Sequence, residues 1–320
     1  MKQITTLLTS LQEKLFSSTY QLQRIVILVA IALVLAVVSF GSYYYYDRYY
    51  NPQPKSADVM LSEAEKAVRD KPDDPEVRLN LAETYMVNSR FDDAIALAKQ
   101  VMEAYPENHR AWFVFGVANA LGGKPAEAID PLQKFLDASK DAEMPGLNKT
   151  LQSAAYYLGD SYLRLNQPDK AVAPLENAVN WSKTDADAMY KLGMAYIGIK
   201  RYEEALGMFQ SATRFVPNFT ECYQGMVVAF EALNAPDYAN YARGMVAYSK
   251  KDYESALTLL KASSQKIADF PPVHNGLGLT YEALGDLQNA KTSYETAVKL
   301  DPEDFAASTG LQRVEALLKK

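Results

Sequence analysis

The side chains that most often perform catalysis or bind metals are few and far apart in this sequence. The only histidines, His109 and His274, are 165 positions apart, and Cys222 is the only cysteine. A metal cage needs three or four such ligands at close spacing, so we expect neither a metal site nor a disulfide framework. The carboxylates Glu203 and Glu204 lie where a helix should begin, a place that favours acidic residues without any catalytic role. Because the sequence has no phosphate-binding loop, nucleophile elbow or His-Glu-x-x-His pattern, we expect no enzymatic activity and no cofactor.

Charge and composition exclude further classes of protein. The chain has 320 residues, a net charge of −6 and 22% charged residues, which disfavours nucleic acid as a partner. Apolar residues make up 48% of the chain, enough for a sizeable core. The charge is uneven, because residues 1–46 carry +2 and the remainder carries −8. The two parts therefore differ in character.

Residues 25–46 predict a single N-terminal transmembrane helix. Ile25 to Val38 consist only of Ile, Leu, Val and Ala, and no charge falls between Arg24 and Asp47. That charge-free stretch has 22 residues, which matches the ~20 residues that cross a bilayer as a helix. Its last residues, Tyr43–Tyr46, are typical of a membrane interface. The alternative is a cleaved signal peptide, although 24 residues before the apolar run would be long for one.

The flanks of this span favour one orientation. Lys2, Lys14 and Arg24 precede it, and Arg24 adjoins it directly. Because short basic flanks stay in the cytoplasm, we expect a plasma (inner) membrane protein with a cytoplasmic N-terminus and an extracytoplasmic C-terminal domain. Residues 1–24 also have apolar side chains at helical spacing, which predicts either an amphipathic helix on the membrane or an extension of the span. We expect residues 47–56 to form a short linker.

The rest of the chain repeats with a period of 34 residues. Gly159 and Gly193 are 34 apart, as are Ala171 and Ala205. A fixed period of this length is typical of a solenoid of helix pairs. Each unit has a small residue in its first helix and an alanine twelve residues later, so two antiparallel helices can pack closely. Proline then ends the second helix in several units.

These units resemble the tetratricopeptide repeat family. The best matches are VRLNLAETYMVNSRFDDAIALAKQVMEAYPEN, YKLGMAYIGIKRYEEALGMFQSATRFVPN and NGLGLTYEALGDLQNAKTSYETAVKLDPED. The resemblance implies an all-α, right-handed solenoid of antiparallel helix pairs over residues 57–304, followed by a capping helix over residues 305–320. It also implies protein or peptide binding in a concave groove lined by the first helices, and no catalysis.

The period fails at two places. The interval from Gly116 to Gly159 is 43 residues, which predicts an insertion near residues 140–150, where the helical pattern breaks. The interval from Val227 to Gly244 is only 17 residues, which predicts a half-repeat register shift near residues 220–250. We expect this shift to kink the superhelix.

The resemblance also assigns side chains to the groove, because positions 2, 5, 9, 12 and 13 of each unit face the concave side in this family. In the middle units these positions are mostly apolar or aromatic. The candidate peptide-binding residues are Arg110, Phe113, Val117, Tyr156, Leu163, Arg164, Tyr190, Met194 and Ile197. Such a strip suits an apolar or amphipathic peptide, whose direction the two arginines could set. The alternative is that these side chains only pack on neighbouring helices.

We therefore expect a single-pass membrane protein that displays a tetratricopeptide scaffold and holds a protein or peptide partner near the bilayer. Its role would be in the assembly, secretion or maturation of envelope and membrane complexes. The alternatives are a cytosol-facing receptor and a structural accessory subunit of a large membrane complex. Chaperone-binding members of the family hold a carboxylate with Lys, Asn and Arg in the groove, and that basic set is absent here. The lipid bilayer, contacted through residues 25–46, is the second expected partner, and neither nucleic acid nor metal is expected.

Overall fold

The computed structural model describes residues 26–30, 33, 37, 56–142 and 144–319. The predicted N-terminal flank, most of the predicted span and residues 47–55 of the predicted linker lie outside the described residues. Among the residues that are described, no helix is both long enough and apolar enough to cross a membrane. Contacts divide the chain into two units, residues 1–63 and residues 64–320. The second unit contains the helix pairs.

Residues 56–142 and 144–319 form fifteen α-helices and one 3-10 turn, with no β-strand in these two ranges. The helices are α1 Ser56–Asp70, α2 Pro75–Val87, α3 Phe91–Ala104, α4 His109–Leu121, α5 Pro125–Ala138, α6 Lys149–Arg164, α7 Pro168–Trp181, α8 Ala186–Gly198, α9 Tyr202–Phe215, α10 Thr220–Ala232, α11 Pro236–Ser249, α12 Tyr253–Ser264, α13 Pro271–Ala283, α14 Leu287–Leu300 and α15 Phe305–Leu318. The predicted all-α solenoid of helix pairs is confirmed.

The two helices of each pair are joined by the same kind of tight turn. Between α2 and α3, Ser89 has a φ of 58°, and the Arg90 N–H donates to the Tyr85 carbonyl at 2.8 Å. This left-handed closure ends the first helix and reverses the chain. A positive φ and the equivalent hydrogen bond recur in six more turns, at Gly123, Asn166, Lys200, Asn234, Lys251 and Gly285.

In five of the helix pairs, a large side chain of the second helix packs against a glycine of the first helix. Phe209 of α9 is fully buried, and a Cβ on Gly193 of α8 would lie 2.5 Å from its ring. Such close approach requires glycine, because a protein interior leaves no spare volume at this distance. Four more pairs, each sixteen residues apart, repeat the contact: Leu132 with Gly116, Leu175 with Gly159, Leu260 with Gly244 and Tyr294 with Gly278.

A long connection, residues 139–148, joins α5 to α6. It contains a 3-10 turn over Pro145–Leu147. The predicted insertion extended to residue 150, but the structure begins α6 at Lys149. The reason is an N-cap: the Asn148 side chain accepts hydrogen bonds from the backbone N–H groups of Thr150 and Leu151 at 3.0 and 3.2 Å. This capping stabilises the first turn of the helix.

Helix α11 belongs to two helix pairs at once. It follows α10 through a left-handed turn at Asn234 and precedes α12 through a second one at Lys251. It packs extensively on both neighbours, as a second helix toward α10 and as a first helix toward α12. Because the left-handed turns at Asn234 and Lys251 follow each other directly, one helix serves both pairs. The interval between the equivalent residues Val227 and Gly244 is therefore only half a repeat. The kink expected near this shift stays a prediction.

An ion pair holds the C-terminal helix α15 to α13. Arg313 of α15 donates from Nε and Nη2 to the two carboxylate oxygens of Glu282, at 2.5 and 2.7 Å. The Tyr294 hydroxyl donates to the same carboxylate at 2.8 Å. The Glu282 side chain is only 18% exposed. These hydrogen bonds, that of Arg313 first, hold the pKa of Glu282 below its ordinary value.

Replacing Glu282 by Gln is expected to lower the free energy of unfolding by about 1–3 kcal/mol at neutral pH, because charged hydrogen bonds are lost. Folding lowers the pKa of Glu282, so its contribution is complete above the ordinary value of 4.5 and is lost as the pH falls below it. Urea unfolding of the full chain, followed by circular dichroism, measures the difference from the unsubstituted protein. That difference should shrink in acid, whereas a difference independent of pH would assign Glu282 a packing role only.

Candidate functional site: the face formed by the first helices

The first helices of successive pairs line one side of the solenoid. Each of α2, α4, α6 and α8 contacts the next first helix, ending with α10, whereas the second helices α3, α5, α7 and α9 make no comparable contact with one another in the described chain. In a stack of helix pairs, the helices that touch lie on the inside of the bend. The first helices therefore form the concave face.

Five of the candidate residues lie together on α6 and α8, and we call them the central strip. They are Tyr156, Leu163, Tyr190, Met194 and Ile197. All five are half-buried and pack against the same core cluster. Because burial is incomplete, each side chain retains apolar area that a ligand could cover.

Tyr156 and Tyr190 are the aromatic members of the central strip. The ring centroid of Tyr190 lies 5.3 Å from that of Phe219. Burial raises the pKa of both tyrosines, so their hydroxyls stay protonated at neutral pH. Neither hydroxyl hydrogen-bonds to another residue that the structure describes, unlike Tyr196, which donates to Glu176 at 2.7 Å. Both hydroxyls can therefore donate to a bound partner.

An ion pair joins α6 and α8 beside the central strip. The ammonium of Lys191 lies 2.5 Å from Asp160 Oδ1, and the two side chains are 28% and 13% exposed. The same ammonium lies 5.9 Å from the Tyr190 ring centroid, within the range of a cation–π interaction. A lysine on this face is thus stabilised by a carboxylate and a tyrosine ring together.

Val117 of α4 contributes to the core rather than to an open groove, whereas Phe113 of the same helix is half-buried. Val117 is 5% exposed and packs in one cluster with Leu132. The Phe113 ring centroid lies 5.3 Å from that of Phe135. The sequence places both residues at groove positions, but the large side chains of α5 fill the space beside them. Val117 is therefore closed to a peptide, and the role of Phe113 in the groove stays a prediction.

The predicted groove residue Arg110 is engaged within the solenoid. Its Nη1 atom lies 2.6 Å from Glu76 Oε2, and its Nη2 atom lies 2.8 Å from Glu83 Oε2. Nη2 also donates to Asn80 Oδ1 at 2.6 Å. The hydrogen bond from Arg110 lowers the pKa of Glu76, so both groups stay charged at neutral pH. The guanidinium of Arg110, which was expected to orient a peptide, is thus already paired with two carboxylates of α2.

The second predicted arginine, Arg164, is also engaged. Its Nη1 atom donates to the Ala120 carbonyl at 2.7 Å, near the C-terminal end of α4. A cation there is favourable because the unpaired carbonyls of a helix end carry partial negative charge. Arg164 therefore links α6 to α4 rather than pointing an unsatisfied guanidinium into the groove.

Helix α10 adds two residues to this face that the sequence-based prediction omitted. Val228, which is 49% exposed, follows Met194 by 34 residues, and Glu221 follows Asp187 by 34. Since α8 and α10 contact each other, Val228 lies at the α10 end of the central strip. Continuing the count of 34 through α10 would have found both residues, because the register shifts only after that helix.

The reactive residue types do not converge on this face. Cys222 is buried, and burial raises the pKa of its thiol to about 12. Since the thiolate is the nucleophilic form, this cysteine is inert at neutral pH. The part of the chain that the structure describes contains no group of three or more His, Cys, Asp or Glu side chains placed to hold a metal.

Models of known protein families match three parts of the solenoid. Two tetratricopeptide repeat models match residues 61–100, 79–143 and 271–304. A model of the anaphase-promoting complex, cyclosome, subunit 3 matches residues 146–212. The segment between these matches, residues 213–270, contains the register shift.

Two curated proteins are similar to part of the chain. Tetratricopeptide repeat protein 1 of Schizosaccharomyces pombe is 28% identical over 127 residues, and BBSome complex member BBS4 of Bos taurus is 26% identical over 156 residues. These alignments cover 38% and 43% of this chain, but only 12% and 30% of the relatives. The chain thus spans less than a third of the length of either relative.

A solved structure shows the same fold. The crystal structure of YrrB, described as a TPR protein with an unusual peptide-binding site, has a TM-score of 0.52 and 21% sequence identity. The likeness covers 63% of this chain and 99% of that one. At this level of identity it supports the architecture of the helix pairs and not a shared ligand.

Proposed function

We propose that this chain, a tetratricopeptide-repeat protein, binds a protein or peptide partner on its concave face, at the central strip and Val228. The observation that carries the proposal is a run of incompletely buried apolar and aromatic side chains across three successive first helices, α6, α8 and α10. Apolar area left exposed on a folded domain is typical of interaction sites. The hydroxyls of Tyr156 and Tyr190 add hydrogen-bond donors for the partner's backbone. YrrB, whose helix pairs have the same architecture, is described as having a peptide-binding site, so the fold is compatible with this use.

The proposal extends to the place where this binding happens. The apolar composition of residues 25–46 supports a membrane anchor, with the N-terminus in the cytoplasm and the solenoid outside it, at the plasma (inner) membrane. A tether raises the effective concentration of the concave face near membrane partners, so weak binding is sufficient. This placement fits assembly, secretion or maturation of envelope and membrane complexes. With the opposite orientation, the protein would be a receptor facing the cytosol.

A photocrosslinking amino acid at position 228 of the full chain is expected to give a discrete adduct with the partner in intact cells. Combining Tyr156→Ala with Tyr190→Ala should reduce that adduct at least tenfold, because an aromatic anchor of a binding site contributes about 2 kcal/mol or more. The measurement is the yield of the adduct on a gel, with circular dichroism to show that helix content is retained.

The matched control places the same crosslinker at Val216, which is 43% exposed and follows the second helix α9. No adduct is expected there. Equal adducts at positions 228 and 216, or an adduct that survives in the folded double-tyrosine variant, would contradict binding at the central strip.

Protease added to right-side-out spheroplasts should remove a C-terminal tag, because the proposed orientation exposes the solenoid outside the cytoplasm. Survival of the tag until the membrane is broken would show the opposite orientation.

A further inference from the structure

Two exposed carboxylates lie at one edge of the central strip. Asp187 is in the first turn of α8 and Glu221 is in the first turn of α10, one period of 34 residues apart. Both side chains are exposed. Neither is within ion-pair distance of a basic side chain anywhere in the described ranges, where thirteen such pairs occur.

These carboxylates lie close enough to the two tyrosines to act on them electrostatically. After burial, the negative charges of Asp160 and Asp187 contribute to the raised pKa of Tyr156. Burial is the largest cause of the raised pKa of Tyr190, and the negative charge of Glu221 is the next. Asp187 also precedes Tyr190 by three residues on α8, a spacing that places two side chains on the same face of a helix.

The lysine that follows Asp187 by four residues on α8 is already paired, because Lys191 lies within ion-pair distance of Asp160. Arg164 lies at the other end of the strip, as the last residue of α6, and keeps its positive charge while it donates to the Ala120 carbonyl. At the first turns of α8 and α10, Asp187 and Glu221 are thus left without an intramolecular counter-charge in the described chain. Lys191 also shows how the face accommodates a cation, because its ammonium contacts the Asp160 carboxylate and lies over the Tyr190 ring.

We propose that the partner segment is basic, and that it places an apolar side chain on the central strip and lysine or arginine side chains against Asp187 and Glu221. This inference rests on the proposed function and specifies the chemistry of its partner. The partner's cations would repeat the arrangement of Lys191, with a carboxylate on one side and a tyrosine ring on the other. An acidic segment would instead meet repulsion at both carboxylates.

The competing explanation is that Asp187 and Glu221 only stabilise the helices that they begin, since acidic residues favour a helix N-terminus. The chain offers a matched comparison. Asp169 and Glu203 are also exposed acidic residues in first turns, but on the second helices α7 and α9. Neutralising either pair removes two charges from helix N-termini, and only one pair lies on the concave face.

The test uses the full chain in phosphatidylcholine nanodiscs and three fluorescent probe peptides. The peptides share the same tyrosine and leucine positions and differ only in carrying lysine, glutamine or glutamate between them. At low salt the lysine peptide is expected to bind about tenfold more tightly than the glutamate peptide by fluorescence anisotropy. Raising the salt concentration should reduce this ratio, because both carboxylates are exposed to solvent.

In the variant with Asp187→Asn and Glu221→Gln, the ratio is expected to fall below about twofold, while the glutamine peptide still binds. The control variant, with Asp169→Asn and Glu203→Gln, should keep the full ratio. Equal binding of the lysine and glutamate peptides, or equal loss of the ratio in both variants, would overturn the basic partner while leaving the proposed binding site intact. Failure of all three peptides to bind the unsubstituted chain would overturn both.

Discussion

Replacing Phe209 by Ala is expected to lower the free energy of unfolding by about 3–5 kcal/mol, the usual cost of removing a fully buried aromatic side chain. The ring is 0% exposed and lies between two first helices. A Cβ on Gly193 of α8 would lie 2.5 Å from it, and a Cβ on Gly225 of α10 would lie 2.4 Å from it. Because backbone surrounds the ring on both sides, the two helices cannot easily close the cavity left by alanine, so the loss should lie in the upper part of that range.

The measurement is urea unfolding of the full chain, followed by circular dichroism. Phe215→Ala is the matched control, because it makes the same chemical change at the end of the same helix, where the side chain is 49% exposed. Its effect should stay within about 0.5 kcal/mol, as is usual for surface positions. Comparable losses in the two variants would show that Phe209 is not the contact that joins α8, α9 and α10.

Replacing Gly225 by Ala, which adds one methyl group, is expected to lower the free energy of unfolding by about 1–3 kcal/mol, the range for overpacking a filled core. The new Cβ would lie 2.4 Å from Phe209 Cζ and 2.6 Å from its Cε2 atom. The ring cannot move away, because Gly193 confines its other edge. This cost outweighs the gain of up to about 1 kcal/mol that alanine brings to a helix interior.

Gly207→Ala should change stability in the opposite direction. Gly207 lies inside α9, two residues before Phe209, and a Cβ there would meet no atom within 4 Å. Without a clash, only the helix propensity remains, and the variant should be stabilised by about 0.5–1 kcal/mol. In a chain that already carries Phe209→Leu, Gly225→Ala should cost less than it does in the unsubstituted chain, because the smaller side chain makes room for the new methyl group. Stabilisation by Gly225→Ala would contradict the close contact.

The regular part of the fold could be predicted from the repeat. Gly193 and Phe209 occur at equivalent places in their unit, and large side chains sixteen residues after a glycine recur in four other pairs. A pattern that recurs with a constant interval can only be buried by stacking similar pairs. The contact between Phe209 and Gly225 was not predicted, although Gly310 follows Tyr294 by the same sixteen residues and packs against its ring. It joins one unit to the next, and the small residue expected at position 227 of that unit is a valine.

The candidate site could be predicted only in part. Tyr156 and Tyr190 were assigned to the concave face, and they lie on the first helices α6 and α8, where both are half-buried. Arg110 and Arg164 were assigned a role in orienting a peptide, but each is engaged by a group from another unit. Glu76 precedes Arg110 by 34 residues, and Ala120 precedes Arg164 by 44. Whether a groove side chain is free to bind depends on such contacts, which no local pattern contains.

The sequence by itself determined the helix pairs, their period, the two irregular intervals and the set of residues at concave-face positions. These properties follow from local rules, because helix faces, turns and close packing each depend on residue types at short, fixed spacings. The tertiary structure decided which of the face residues remain available. Side chains of α5 enclose Val117. Arg110 pairs with a carboxylate of α2, and Arg164 donates to a carbonyl of α4. Asp187 and Glu221 are left without ion-pair partners in the described chain. Those outcomes depend on atoms brought together from different repeats, where packing and charge are settled only once the pairs have stacked.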